Sequence, residues 1–146
     1  MTGFNHTLAG TIVALSVQQP LLIIPLAFAS HFVMDALPHF GNHPKLIPYN
    51  NTFKRYLVGE ALACIAVLLF AIILVPEHWF ILALGAAFAT LPDFLWLLKD
   101  RKLPGYEWFF RFHKNIQWAE VPYGWIYEAG YFSLGILLLV GLAEAR

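Results

Sequence analysis

Charge and cysteine are both scarce in this chain, and each scarcity excludes something. Only 12% of its 146 residues are Asp, Glu, Lys or Arg, whereas 60% are hydrophobic. A soluble domain of this length needs far more polar surface, so the composition points to an integral membrane protein forming one unit over residues 1–146. The lone cysteine, Cys64, rules out an intramolecular disulfide and lies in an apolar run, where a core thiol is expected. Paired-Cys motifs, a Gly-x-Ser-x-Gly elbow and a phosphate-cradling Gly-rich loop are also missing, which sets aside the chemistries built on them. The first residues carry no basic n-region, and the apolar runs are too long and too many for a signal peptide. The formal net charge is zero, with bases scattered among acids, so no nucleic-acid partner is expected.

What the chain does have is long hydrophobic runs. Tyr56–Val75 and Trp79–Leu98 each suit a membrane helix of about 20 residues, and Trp125–Ala143 is similar, with Glu128 near its start. Leu8–Leu37 is harder, being too long for one straight span and short for two. Its Gln18-Gln19-Pro20 break favours a helical hairpin of about Asn5–Val17 and Pro20–Leu37, since proline fits the first turn of a new helix. The alternative is one span kinked near Pro20 or Pro25. Pro38–Phe53 reads as a loop and Asp100–Gly105 as a short turn. In Tyr106–Val121, Trp108, Phe112 and Ile116 recur at i, i+4 and i+8, with Arg111, Lys114 and Asn115 elsewhere on the circumference. That segment is either an interfacial amphipathic helix or an irregular aromatic loop. The expected fold is all-α: a membrane helical bundle of about five helices, the hairpin plus three spans, with an interfacial helix.

Basic residues orient this bundle. Lys45, Lys54, Arg55, Lys99, Arg101, Lys102, Arg111 and Lys114 fall on the side where the second helix ends, and only Arg146 falls on the other. The positive-inside rule makes the first side cytoplasmic.

The unusual residues converge on the same side. His31 and Asp35 are one helical turn apart and can reach one ion, with His39 just beyond Pro38. Imidazole plus carboxylate suits zinc and its first-row neighbours. Glu60 lies about two turns inside the next span, Asp93 a similar depth from the end of the following one, His113 in the interfacial segment and Glu128 at the start of the last span. The hairpin would bring His6 there too. Ionisable groups in membrane helices are costly and usually face a bundle interior with partners. Four carboxylates, Asp35, Glu60, Asp93 and Glu128, repel one another unless cations compensate them. A divalent ion or a pair would do so. Each residue also has a plain explanation: Glu60 can pair with Arg55, Asp93 can end a helix turn, Glu128 can serve the helix dipole, and His6 can be interfacial. His43 and His78 are expected in solvent-facing loops.

Asn5-His6-Thr7-Leu8-Ala9-Gly10, the line from His31 to His39, and Leu91-Pro92-Asp93 together resemble a family of small bacterial inner-membrane proteins, often named for a member under LexA control and described as membrane-bound metal-dependent hydrolases. The marks shared are a His before a small-residue helix, a His-x-x-x-Asp on a membrane helix, and Leu-Pro-Asp. The His-x-x-x-Asp line is also similar to the helical zinc motif of bacterial phospholipase C. Two family features are absent: the second acid of Pro-Asp-x-Asp is replaced by Leu95, and there is no Arg-x-x-Thr-His, its nearest substitute being Phe112–Trp118.

The resemblance implies a hydrolase at the cytoplasmic face of the bacterial inner membrane, using one or two divalent ions, most simply Zn2+, on a phosphoester or lipid-like substrate. His31, Asp35, His39, Asp93, His113 and His6 are the candidate ligands, and Glu128 or Glu60 the candidate general base. Lys54, Arg55 and Lys114 can attract an anionic headgroup. Two other classes stand beside it. A transporter or metal-handling protein would use the same carboxylates, although no ionisable residue marks the middle of the spans. A binding or scaffold protein would hold a structural metal.

Overall fold

A computed structural model describes residues 1–41, 50–95 and 105–145. Among the described residues there are six helices: α1 (Gly3–Val17), α2 (Pro20–Asp35), α3 (Asn51–Leu74), α4 (Trp79–Leu95), α5 (Tyr106–Ile116) and α6 (Trp125–Glu144). A short 3-10 turn, Pro76–His78, precedes α4, and two short strands, β1 (His39–Phe40) and β2 (Glu120–Val121), complete the order. Three helical stretches, Asn51–Leu74, Pro76–Leu95 and Trp125–Glu144, are long and apolar enough to cross a membrane. Their outer faces expose Leu62, Ile65, Ile73, Leu134 and Leu137, far more contiguous apolar surface than a water-soluble domain leaves uncovered.

The N-terminal region is the hairpin. Gln18 closes α1 in the left-handed conformation, Gln19 is extended, and Pro20 opens α2. A left-handed residue ends one helix while proline, with its fixed φ and missing N–H, starts the next. The turn needs only two residues, so α1 and α2 return side by side.

α1 occupies the middle of the bundle and touches α2, α3, α4 and α6. Its buried residues include Asn5, His6, Thr7 and Thr11 beside Leu8, Ala14 and Leu15. The apolar core joins Leu8, Ala14 and Leu15 of α1 to Ile23 and Ala27 of α2, Val67 and Ala71 of α3, Leu82 and Ala89 of α4 and Leu139 of α6. The hydroxyls of Thr7 and Thr11 donate to the carbonyls of Gly3 and Leu8, at 3.0 and 2.8 Å, which satisfies them within the helix. α1 approaches α4 backbone to backbone: a Cβ on Gly10 would meet the Gly85 carbonyl, and one on Gly85 the Gly10 carbonyl. Small residues permit such close approach between membrane-type helices.

All the connections that matter lie at one end of this bundle. α2 stops at Asp35 because Pro38 excludes further helix. The strands then pair in parallel, His39 with Glu120 and Phe40 with Val121. Gly124 lets α6 start directly against this bridge, since a Cβ there would collide with the His39 backbone. Tyr106–Ile116 is helical, which decides between helix and loop. Trp108 and Phe112 point outward, whereas His113 is the buried residue of α5. The segment expected as loop after Pro38 contains β1, with residues 42–49 and therefore His43 and Lys45 outside the described residues. Residues 96–104, including Lys99, Asp100, Arg101 and Lys102, and Arg146 are outside them as well.

The close α1–α4 crossing makes a direct prediction. Gly85→Val forces the backbones apart and costs roughly 1–3 kcal/mol, which lowers the thermal midpoint of the detergent-solubilised protein. Gly130→Ala, where a Cβ meets nothing within 4 Å, leaves the midpoint nearly unchanged.

Candidate metal centre

His31 and Asp35 occupy the last two turns of α2, both fully buried. Helical spacing places the His31 Nε2 3.2 Å from Asp35 Oδ2. α5 adds His113, whose Nε2 lies 3.0 Å from that same oxygen and 3.0 Å from His31 Nε2. α4 adds Asp93, whose Oδ1 is 3.7 Å from His31 Nε2 and 3.9 Å from His113 Nε2. One donor atom from each of the four lies within 4.8 Å of every other.

Tautomers follow from the surrounding acceptors. His31 Nδ1 is 2.8 Å from the Ala89 carbonyl, which can only accept, so Nδ1 carries the proton. The His31 Nε2 lone pair is therefore directed at the cluster, the arrangement in which an imidazole ligates metal while its other nitrogen is held by a backbone carbonyl. A tetrahedral zinc site with bonds of 2.0–2.1 Å separates its ligand atoms by about 3.3 Å. The His31, His113 and Asp35 atoms are spaced close to this, and Asp93 stands slightly further off. These residues fit a first-row divalent ion.

Asp35 faces two ways. Oδ2 meets His31, His113 and the Gln117 side-chain amide at 3.1 Å. Oδ1 meets His6 Nε2 at 3.2 Å and the Met1 amino group at 2.6 Å. His6 is fully buried and stacks on His31 with ring centroids 3.9 Å apart. Neither of its ring nitrogens makes a hydrogen bond, because the approach to Asp35 is close but not well directed. His6 thus flanks the four-residue group from α1, as the hairpin requires. Asp93 differs from the rest in being open, with 40% of its side chain exposed.

Three sequence candidates stand apart from the group. His39 leaves with the chain after Pro38: its Nδ1 donates to the Leu37 carbonyl at 2.7 Å, and its buried Nε2 faces Glu120 at 3.8 Å without a hydrogen bond. Pairing of β1 with β2 turns it away from the extension of α2 on which its candidacy rested. Glu60 accepts from the Gly3 backbone N–H at 2.7 Å. Glu128 is a clasp. Its Oε1 accepts from Phe40 N at 2.8 Å, and its Oε2 from Thr2 N at 3.0 Å, the Thr2 hydroxyl and Asn5 Nδ2 at 3.2 Å. With so many donors on a buried carboxylate, few of its lone pairs face open space. His78, expected in solvent, is a quarter exposed at the opposite end, 3.0 Å from the Gln18 amide.

Gln117, the Ala89 carbonyl and the Thr2–Asn5–Glu128 network had no place in the sequence expectations. Gln117 alone left a sequence signal, lying four residues after His113 on the same helical face. Comparison with known proteins brings no match: no family model, no curated protein and no solved structure is similar to the chain.

The Glu128 clasp is testable by stability. Glu128→Ala strands several buried donors at about 1–3 kcal/mol for each left unsatisfied, whereas Glu128→Gln keeps one carbonyl acceptor and falls between it and wild type. Thermal unfolding of the three proteins checks the order.

Proposed function

We propose that this chain is a membrane-embedded, metal-dependent hydrolase acting on a phosphoester or lipid-like substrate at the cytoplasmic face of a bacterial inner membrane. The observation that supports this most is the convergence of His31, Asp35 and His113 on one point, with the half-exposed Asp93 beside them. His31 Nε2, His113 Nε2 and Asp35 Oδ2 would hold the ion, most simply Zn2+. A divalent ion bound by three protein groups supplies Lewis acidity toward a phosphoryl oxygen and keeps a position for substrate. Asp93, on the accessible side, takes the proton from the attacking water. That water forms the new bond to phosphorus as the ester P–O bond breaks, and the leaving oxygen is protonated from solvent. Ala89, through its carbonyl, and Gln117 hold His31 and Asp35 in place. His6 packs behind them, beside Asp35 Oδ1.

Orientation rests on charge. Lys54, Arg55, Arg111 and Lys114 lie at the cluster end of the bundle, and Glu77 and His78 at the other, a bias that favours the cytoplasm for the cluster. A second reading, a structural metal in a binding protein, is favoured by the complete burial of His31, Asp35 and His113.

Elemental analysis and turnover separate these readings. His31→Ala and His113→Ala lose bound zinc, while His39→Ala keeps it. Asp93→Asn keeps zinc and loses at least two orders of magnitude in hydrolysis of lipid phosphates or soluble phosphoesters, the range set by removing a general base. Zinc retained with no turnover in wild type against either substrate set points to the structural role.

Topology is checked separately. In a Cys64→Ala background, Lys114→Cys, on an exposed position of α5, resists impermeant thiol reagents in intact cells and reacts after permeabilisation. Labelling from outside reverses the orientation.

A further inference from the structure

A cavity of about 570 Å³ opens between α3 and α6, beside the first turn of α1. Its wall follows α3 from Tyr56 to Val67, about 16 Å of helical rise, and α6 from Trp125 to Phe132, about 10 Å. The cavity is therefore a slot running along the helices. It exists because α3 and α6 present Ala63, Ala66 and Ala129 to each other where larger side chains would close the gap. Phe4 and Phe132, edge to face at 5.4 Å, form its inner wall.

Polarity is confined to the end nearest the His/Asp cluster, where Thr2, Tyr56 and Glu128 line the slot. The remainder offers no hydrogen-bonding side chain, and water needs two to four polar partners to settle in a cavity. α3 and α6 are both apolar enough to cross a membrane, so on that reading the slot faces hydrocarbon. Lys54 and Arg55, on the first turn of α3 just before Tyr56, are exposed and make no ion pair among the described residues. They sit two and one residues before Tyr56, outside the slot's lining but at the level of its polar end, where their positive charge complements an anionic head.

The geometry points to a lipid site: one acyl chain of an anionic phospholipid lies in the α3–α6 slot, with its headgroup held at Lys54 and Arg55. Tail binding needs no metal. That the same lipid is the substrate rests on the hydrolase reading, because the slot's mouth adjoins the cluster: Thr2 lines it, and the neighbouring Met1 reaches Asp35.

The test uses the whole protein in phosphatidylcholine nanodiscs doped with phosphatidylglycerol carrying a diazirine in one acyl chain. After irradiation, adducts are mapped by mass spectrometry. Adducts should concentrate on residues 63–67 and 129–132 and fall severalfold in Ala66→Phe and Ala129→Phe, which fill the slot. Ala63→Leu is a milder filling if either fails to fold, and zinc content and helicity verify that each variant is intact. Lys54→Gln/Arg55→Gln should lower labelling by the phosphatidylglycerol probe but not by a phosphatidylcholine probe. Labelling spread evenly over exposed positions such as Leu21, Leu134 and Leu137, and unchanged in the filled variants, overturns the site. Equal labelling by both probes in the Lys54/Arg55 variant and wild type overturns the anionic headgroup. Slot labelling that persists while the bound lipid is never hydrolysed retains the site and rejects the hydrolase reading instead.

Discussion

A carboxylate with no exposure has to be compensated by its neighbours, and the end of this bundle is arranged around one, Asp35. Isolated burial of such a charge is prohibitively costly. Here His31, His113 and Gln117 surround Oδ2, and the Met1 amino group and His6 approach Oδ1. These partners come from α1 and the residues just before it, from α2, and from α5 and the residue that ends it, so compensating one charge ties three separate segments together. The same convergence gathers imidazole nitrogens at metal-ligand spacing. A proton on His113 Nε2 can serve only one of the lone pairs aimed at this point, whereas a cation serves all of them.

Getting α1 to that charge is the fold's main structural problem, because α1 carries Asn5, His6, Thr7 and Thr11 into the interior. The two-residue turn at Gln18 and Gln19 sets its direction, and the Gly10–Gly85 contact sets its depth against α4. Glu128 fixes the remaining freedom. By accepting from Thr2, Asn5 and Phe40 it joins the start of α1, β1 and the first turn of α6. His6 sits one residue past Asn5, so its stacking on His31 depends on that clasp holding.

Much of this was legible in the residues. The hairpin followed from Gln18-Gln19-Pro20 and the three apolar helices from run length, because both signals are local. His31, Asp35, Asp93 and His113 could be named as partners because helix direction and charge bias place their helix ends together. His39 could not be placed, since its position depends on a parallel bridge between β1 and β2, two residues each and eighty apart in the chain. No periodicity exists in so short a strand. Glu128 illustrates a second limit: its residue type and depth mark it as unusual, but two of the donors that occupy it are backbone N–H groups, of Thr2 and Phe40, invisible in side-chain patterns. α5 shows a third. Its outward stripe of Trp108 and Phe112 was readable, yet the face that matters is the one bearing His113.

Asp35, Glu128 and Asp93 are carboxylates at nearly the same level of the bundle, and their surroundings divide them. Asp35 is ringed by imidazoles, which suits it to share a cation with them. Glu128 is saturated by backbone and side-chain donors from two other segments, which suits it to hold the fold. Asp93 has neither kind of company: its nearest imidazole nitrogens are 3.7 and 3.9 Å away and much of its side chain is open. Of the three, it alone combines closeness to the cluster with room for a water and a substrate. On the hydrolase reading, that leaves the proton transfer to Asp93, and it directs the approach of any substrate to the α4 side of the cluster.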